Sequence, residues 1–225
     1  MPRRKCSVIS NGIDAGSFSP DPDRRARVRA EMGLSPAPDK AEFVWIAVGR
    51  VSPAKDYPNL MSAFSRAYAA HPNCRLWIAG EPARDEEAAK KAFAIGYSMT
   101  SQARERIRWL GLRRDIPALL DAADGFVMSS AWEGMPLALG EAMAMAKPVV
   151  AADAGGVREL VGNAGVIVPP GNSAALAEAM IATMNESREA RAARSRAARD
   201  RIASQFSMDA TANSWEALYK QIMNL

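Results

Sequence analysis

The chain has few of the residues on which most metal, redox and secreted folds depend. Its 225 residues include a single histidine, His71, and two cysteines, Cys6 and Cys74. One histidine excludes a His-rich metal site, and equally a Ser-His-Asp triad with several histidines to choose from. Two distant cysteines argue against a disulfide framework and for a reducing compartment, the cytoplasm. No apolar run approaches the roughly 18 residues that suggest a membrane span. No apolar signal-peptide core follows "MPRRKC". The common nucleotide fingerprints are also missing: no G-x-G-x-x-G follows the first buried strand, and no G-x-x-x-x-G-K-[ST] occurs. That argues against a dinucleotide oxidoreductase and a P-loop NTPase. With no Asp or His cluster at metal-ligand spacing, neither a metal nor a bound cofactor is expected.

What remains is an ordinary soluble composition, 48% hydrophobic and 24% charged, long enough for one sizeable domain or two small ones. Net charge is +4, from 29 Lys and Arg against 25 Asp and Glu. That balance is too mild to indicate nucleic acid. The basic excess gathers in the N-terminal "PRRK" and in "SREARAARSRAARDR", 187–201. The arginines of that second run wrap around a helix instead of aligning on one face. A solvated helix is the plain reading, and peripheral contact with an anionic membrane at its inner face is the functional alternative.

Short β-rich apolar runs alternate with helical patterns. "FVWIAV" (43–48), "RLWIAG" (75–80), "RIRWLG" (106–111), "GFVMSS" (125–130), "PVVAAD" (148–153) and "AGVIVP" (164–169) read as strands. Helices are predicted at 57–70, 85–99, 115–123, from Pro136 onward, at 156–160, 173–184 and 208–223, with Asp115 and Ser173 as caps. The first 40 residues read as an edge strand plus a covering, linker-like segment. The whole, 1–225, is expected to be one α/β domain: a three-layer, Rossmann-like, six-stranded and mostly parallel sheet with helices on both faces. Ligands in such sheets bind beyond the carboxyl ends of the strands. The residues that matter most are then 50–55, Glu81, 112–115, 129–135 and 153–156.

"VGRVSPAK" puts Arg50 and Lys55 in the loop after the first strand, where two cations could neutralise a diphosphate without a metal. Two solvated surface cations would have the same spacing, which alone does not decide. "SSAWEGMPLALGEAM" carries Glu133 and Glu141 eight positions apart, but Glu178 and Glu186 repeat that spacing in a helix with no reason to touch a ligand. Position separates the pairs, because Glu133 follows a strand at the ligand edge beside a helix N-terminus with free N–H groups. "DAGGVREL" offers Gly155 and Gly156 as a close-approach loop or a plain turn. His71 reads as a surface or capping residue.

Taken in order, "NGID" (11–14), "GRVSPAKD" (49–56), "LGLRRDIPALLDAAD" (110–124), "SSAWEGMPLALGEAMAMAKPVVAADAGGVRELV" (129–161) and "AGVIVPPGNSAALAEAM" (164–180) resemble the group 1 (family 4) retaining glycosyltransferases. The likeness covers nearly the whole chain but only the C-terminal half of those enzymes. It implies one half of a GT-B fold, in which two Rossmann-like domains face each other across a cleft. The C-terminal one holds a nucleotide-sugar donor and the N-terminal one the acceptor. The resemblance further implies that Arg50 and Lys55 bind the donor diphosphate and stabilise the charge that develops as the sugar leaves. Glu133 would contact the sugar as the third catalytic residue. Gly49 and the segment Gly134, Met135, Pro136 and Leu137 would help hold the donor, Glu141 its ribose, and Leu112 and Ile116 its base. The donor would be UDP-, GDP- or ADP-linked, with no metal, and the sugar would transfer with retention through front-face attack.

The acceptor half is missing, and "MPRRKCSVISNGID" resembles the linker between the two domains. The implied partner is therefore an acceptor domain in cis or in trans, with little activity for this chain alone. The last helix, 208–224, would lose its packing surface and expose Trp215, Leu218, Tyr219 and Ile222. A non-catalytic subunit or interaction module is the alternative from another class; a GT-B nucleotide-sugar epimerase is a third reading.

Overall fold

The computed structural model describes residues 6–34, 42–81, 90–92, 94–95 and 99–223. Six strands form its centre: β1 (Phe43–Val48), β2 (Cys74–Ala79), β3 (Ile107–Gly111), β4 (Gly125–Met128), β5 (Val149–Ala152) and β6 (Val166–Val168). Every pairing is parallel, and the order is β3-β2-β1-β4-β5-β6. The strands read as unbroken apolar runs because both faces of the sheet are covered. Alternation along β1 shows the division: Val44 and Ile46 belong to one buried cluster, Trp45 and Ala47 to the other.

Helices α1 (Pro22–Glu31), α4 (Ile116–Ala122), α5 (Leu137–Ala144), α6 (Val157–Val161) and α8 (Arg188–Gln205) close the first face. Helices α2 (Tyr57–Ala70), α3 (Ser101–Glu105) and α7 (Ser173–Asn185) close the second. The last helix, α9 (Met208–Met223), has no buried residue. Among the described residues no helix is long and apolar enough to cross a membrane.

Several local expectations are corrected. Among the described residues before β1 there is no edge strand. Asp21 accepts N–H bonds from Asp23 and Arg24, Pro22 opens the first turn, and α1 forms instead. The one β contact there is an isolated parallel bridge between Ile13 and Ser207. Asn172, not Ser173, caps α7, accepting from the Ala175 N–H at 3.0 Å. Asp115 stands at the cap position of α4 without capping it, because Arg113 grips both of its oxygens, at 2.8 and 2.6 Å. The helix predicted over 85–99 falls largely outside the described residues, and α3, capped by Thr100, is an addition to the sequence reading. His71 is the C-cap of α2, its N–H donating to the Ala67 carbonyl.

The arginine-rich run is less solvated than its pattern suggests. Arg199 donates to the carbonyls of Phe18 and Ala144, Arg201 to those of Leu160 and Glu159, and Arg194 to Thr183 and Glu186. With Arg191, which reaches the Thr183 carbonyl, four of its six arginines hold α8 to the body.

Candidate functional site

From β1 the sheet grows one way through β2 and β3, and from β4 the other way through β5 and β6. The sheet thus changes direction between β1 and β4, and the crevice outside their carboxyl ends is where this class of sheet binds ligands.

The first loop is shaped by glycines. Gly49 has φ 151°, and a Cβ on it would lie 3.0 Å from the Lys55 Cε, so its lack of a side chain leaves room for the lysine stem. A Cβ on Gly80 would lie 1.9 Å from the Gly49 carbonyl oxygen, so the loops after β1 and β2 touch backbone to backbone. Arg50 is exposed and has no hydrogen-bond or ion-pair partner among the described residues. Pro53–Lys55 make one 3-10 turn that ends on Asp56 in the left-handed region, φ 45°. That turn swings Lys55 back over the crevice.

There the two loops lock together. The Lys55 Nζ donates to the Glu133 Oε1 at 2.6 Å, and the Ser130 hydroxyl donates to the same oxygen at 2.6 Å. The Ser129 hydroxyl donates to the Lys55 carbonyl at 2.7 Å, and the Ala131 N–H to the Ala54 carbonyl at 2.8 Å. Beneath them the buried Tyr57 donates its hydroxyl to the Gly49 carbonyl at 2.7 Å. Burial first, and the charge of Glu133 second, raise the Tyr57 pKa well above the ordinary phenol value, so it stays a neutral donor. A cavity of ≈ 10 Å³ between Lys55, Tyr57 and Ser130 has room for about one water.

Glu133 is braced from a third side. Gly155 has φ 56°, and a Cβ on it would lie 1.9 Å from the Glu133 carbonyl oxygen; the Gly156 N–H donates to the Gly134 carbonyl at 2.8 Å. The glycine pair of "DAGGVREL" is thus a close-approach loop, and what approaches it is the turn that carries Glu133.

Helix α5 begins directly after that turn. The N–H groups of Gly134, Met135 and Leu137 make no backbone hydrogen bond among the described residues, which leaves an anion-attracting mouth. Pro136 occupies the cap position and, having no N–H, shapes the mouth without donating to it. The Met135 sulfur accepts the Asn11 N–H at 3.1 Å, and a cavity of ≈ 230 Å³ opens between Val8–Asn11 and Gly134, Met135, Gly156 and Glu159. Glu141 lies one turn inside α5, partly buried and without a side-chain partner among the described residues; burial raises its pKa above the ordinary carboxylate value.

Lys55, Glu133 and the helix mouth are thus brought together, with Arg50 on the adjoining loop. Leu112, 63% exposed, and the partly buried Ile116 lie beyond β3, two strands from β1, and flank the crevice at a distance. Ser129 and Ser130 are participants to which the sequence assigned no role. Two hydroxyls directly behind a strand at the ligand edge were the available signal.

Residues 42–186 match the family described as Glycosyl transferases group 1. The chain belongs to this family of glycosyltransferases. It is 32% identical over 163 residues to the UDP-Gal:alpha-D-GlcNAc-diphosphoundecaprenol alpha-1,3-galactosyltransferase of Escherichia coli, covering 71% of this chain and 39% of that enzyme. It superposes on Anabaena HepE, solved with UDP-glucose, with a TM-score of 0.83 and 27% identity over 97% of this chain and 57% of HepE. It also shares its fold, at TM-score 0.74 and 20% identity, with the C-terminal domain of the Francisella tularensis group 1 protein LpcC, covering 88% of this chain and 100% of that domain. The chain thus spans well under two thirds of the galactosyltransferase and of HepE. As a group 1 glycosyltransferase domain it has the all-parallel, Rossmann-like sheet of GT-B enzymes.

Proposed function

We propose that this chain is the donor-binding half of a retaining glycosyltransferase, working with an acceptor domain supplied in cis or in trans. It holds a nucleoside-diphosphate sugar, and turns over little without that partner. The observation that carries this reading is the Lys55–Ser130–Glu133 cluster in the β1/β4 crevice, beside the free N–H groups of α5.

Arg50 and Lys55 bind the diphosphate, and their fixed charge offsets the negative charge that grows on it as the sugar leaves. Glu133 turns its free oxygen to the sugar. The N–H groups of Gly134, Met135 and Leu137 take sugar or phosphate oxygens. Glu141, half-buried with no donor of its own, accepts hydrogen bonds from the ribose hydroxyls. Leu112 and Ile116 cover the base, and Gly49 keeps the loop tight. Retention follows from front-face attack within an oxocarbenium-like ion pair. A cytoplasmic place at the inner face of the membrane suits a domain that draws on nucleotide sugars.

UDP is the first ligand to test, because HepE was solved with UDP-glucose and the Escherichia coli relative is named for UDP-Gal. Calorimetric titration with UDP, GDP and ADP should show binding to one of them. Arg50→Ala and Glu141→Ala should each weaken it by about tenfold or more, the scale of one lost charge-assisted hydrogen bond. No binding to any of the three ends the proposal.

The exposed Trp215, Tyr219 and Ile222 of α9 favour a second reading, an interaction module in which the pocket is only inherited. That reading requires nucleotide binding to be absent or indifferent to Arg50.

A further inference from the structure

A second charged hollow lies at the opposite edge of the sheet, where the strands begin. The first half of α8 runs past the starts of β1, β4 and β5, and the Arg191 guanidinium lies 5.4 Å from the centre of the Phe43 ring. Between α8, α1 and the segments that lead into β4 and β5 is a groove of ≈ 350 Å³. Its lining includes Arg25, Lys147, Arg188, Arg191 and Arg196 against one carboxylate, Asp124. Both Asp124 oxygens are taken: Oδ1 by Arg25 at 2.5 Å, Oδ2 by Arg29 at 3.0 Å and by the Val44 N–H at 2.9 Å.

Part of this charge has a structural use. Arg25 donates to the carbonyls of Asp121, Ala122 and Ala123, and Lys147 to those of Asp121 and Ala123 at 3.0 and 3.1 Å. These are the open carbonyls at the end of α4, where cations are favoured. That accounts for Arg25 and Lys147, not for α8. Arg188 and Arg196 have no hydrogen-bond or ion-pair partner among the described residues, and Arg191 reaches only the Thr183 carbonyl, at 3.5 Å. All three side chains line a hollow already positive on its far wall, with Arg191 also resting over Phe43. An anion entering the hollow would meet several positive side chains and one carboxylate whose oxygens are already taken. Burial, then the neighbouring charge of Arg25, lowers the Lys147 pKa to about 8, with Asp124 and Asp121 partly offsetting the effect.

We propose that this groove binds a phosphate group, with Arg188, Arg191 and Arg196 supplying the forked donors and Lys147 the remaining N–H from below. It is separate from the β1/β4 crevice, because it lies at the amino ends of the strands. The phosphate comes either from a soluble phosphate compound or from an anionic lipid headgroup, and the chemistry of recognition is the same.

The test follows backbone amide shifts of the whole chain during titration with inorganic phosphate and pyrophosphate. A parallel arm measures co-sedimentation with phosphatidylglycerol–phosphatidylcholine vesicles. Amides of 146–147 and 188–196 should move, separately from any change at 50–55 or 134–137. Arg188→Gln with Arg196→Gln, both exposed positions, should weaken the effect by about tenfold or more. A control pair of equal charge loss elsewhere, Arg66→Gln with Lys220→Gln, should leave it unchanged. Loss in the phosphate arm identifies a soluble ligand; loss only in the vesicle arm identifies the lipid headgroup. Either result supports the site. Absence of binding in both arms, or equal weakening by the control pair, overturns it.

Discussion

Glu133 has two carboxylate oxygens, and among the described residues only one is engaged. Lys55 and Ser130 both donate to Oε1, which leaves Oε2 without a donor among the described residues. The same contact makes Glu133 a competitor: while Lys55 pairs with it, the ammonium is partly spent before any phosphate arrives. Lys55 keeps 24% of its side chain in solvent, and that screening holds the pair to about 1 kcal/mol. Glu133→Gln should therefore strengthen binding of the bare nucleoside diphosphate by roughly threefold to tenfold. It should also reduce sugar transfer by the domain joined to an acceptor half. Calorimetry beside a turnover assay reads both, and weaker nucleotide binding in the variant would refute the competition. Lys147 makes a different prediction. Its pKa is about 8 against an ordinary 10.5, so the unfolded chain binds more protons between those values and stability rises with pH there. Relative to Lys147→Met, the wild type should gain about 2 kcal/mol between pH 8 and 10, measured by urea unfolding.

At the scale of elements, the site depends on turns that admit no side chain. Gly155 is in the left-handed region and meets the Glu133 carbonyl at what would be 1.9 Å from a Cβ. Gly155→Ala should cost about 2–4 kcal/mol, part backbone strain and part clash, and should displace the Glu133 turn. Urea unfolding measures the first effect and weakened nucleotide binding the second; an unchanged midpoint would show that α6 simply shifts away. The strands were legible because burial on both faces leaves an apolar run that needs no partner to recognise. The start of the chain was not. What holds α1 is long-range, Arg24 on Asp121 and Arg25 and Arg29 on Asp124, and no local periodicity records such pairs. Arg50, Lys55 and Glu133 could be picked from the ordered motifs. Ser129 and Ser130 were legible by position, within 129–135 at the ligand edge, but not by role, which they acquire only once β1 and β4 lie side by side.

For the whole molecule, α9 is the element that the body does not use. Trp215 is 45% exposed, Tyr219 56% and Ile222 66%, and the helix is held chiefly at its start, where the Thr211 hydroxyl donates to the Ser10 carbonyl at 3.1 Å. Trp215→Glu with Tyr219→Lys should leave the melting temperature within about 2 °C, since nothing buried is lost, while reducing light scattering at high concentration. A large drop in melting temperature would mean that the helix packs on the body in solution. Ile13 occupies a singular place beside it. Its N–H donates to the Phe206 carbonyl at 2.7 Å, and its carbonyl accepts from the Met208 N–H at 3.2 Å. Its side chain also fills the space over Gly140, where a Cβ would lie 2.7 Å from Ile13 Cδ1. The segment running in and the helix running out therefore cross at one buried side chain, pressed on the helix that bears Glu141. One side chain is thus a shared peg, and shortening Ile13 to alanine would loosen the entering segment, the root of α9 and the middle of α5 at once.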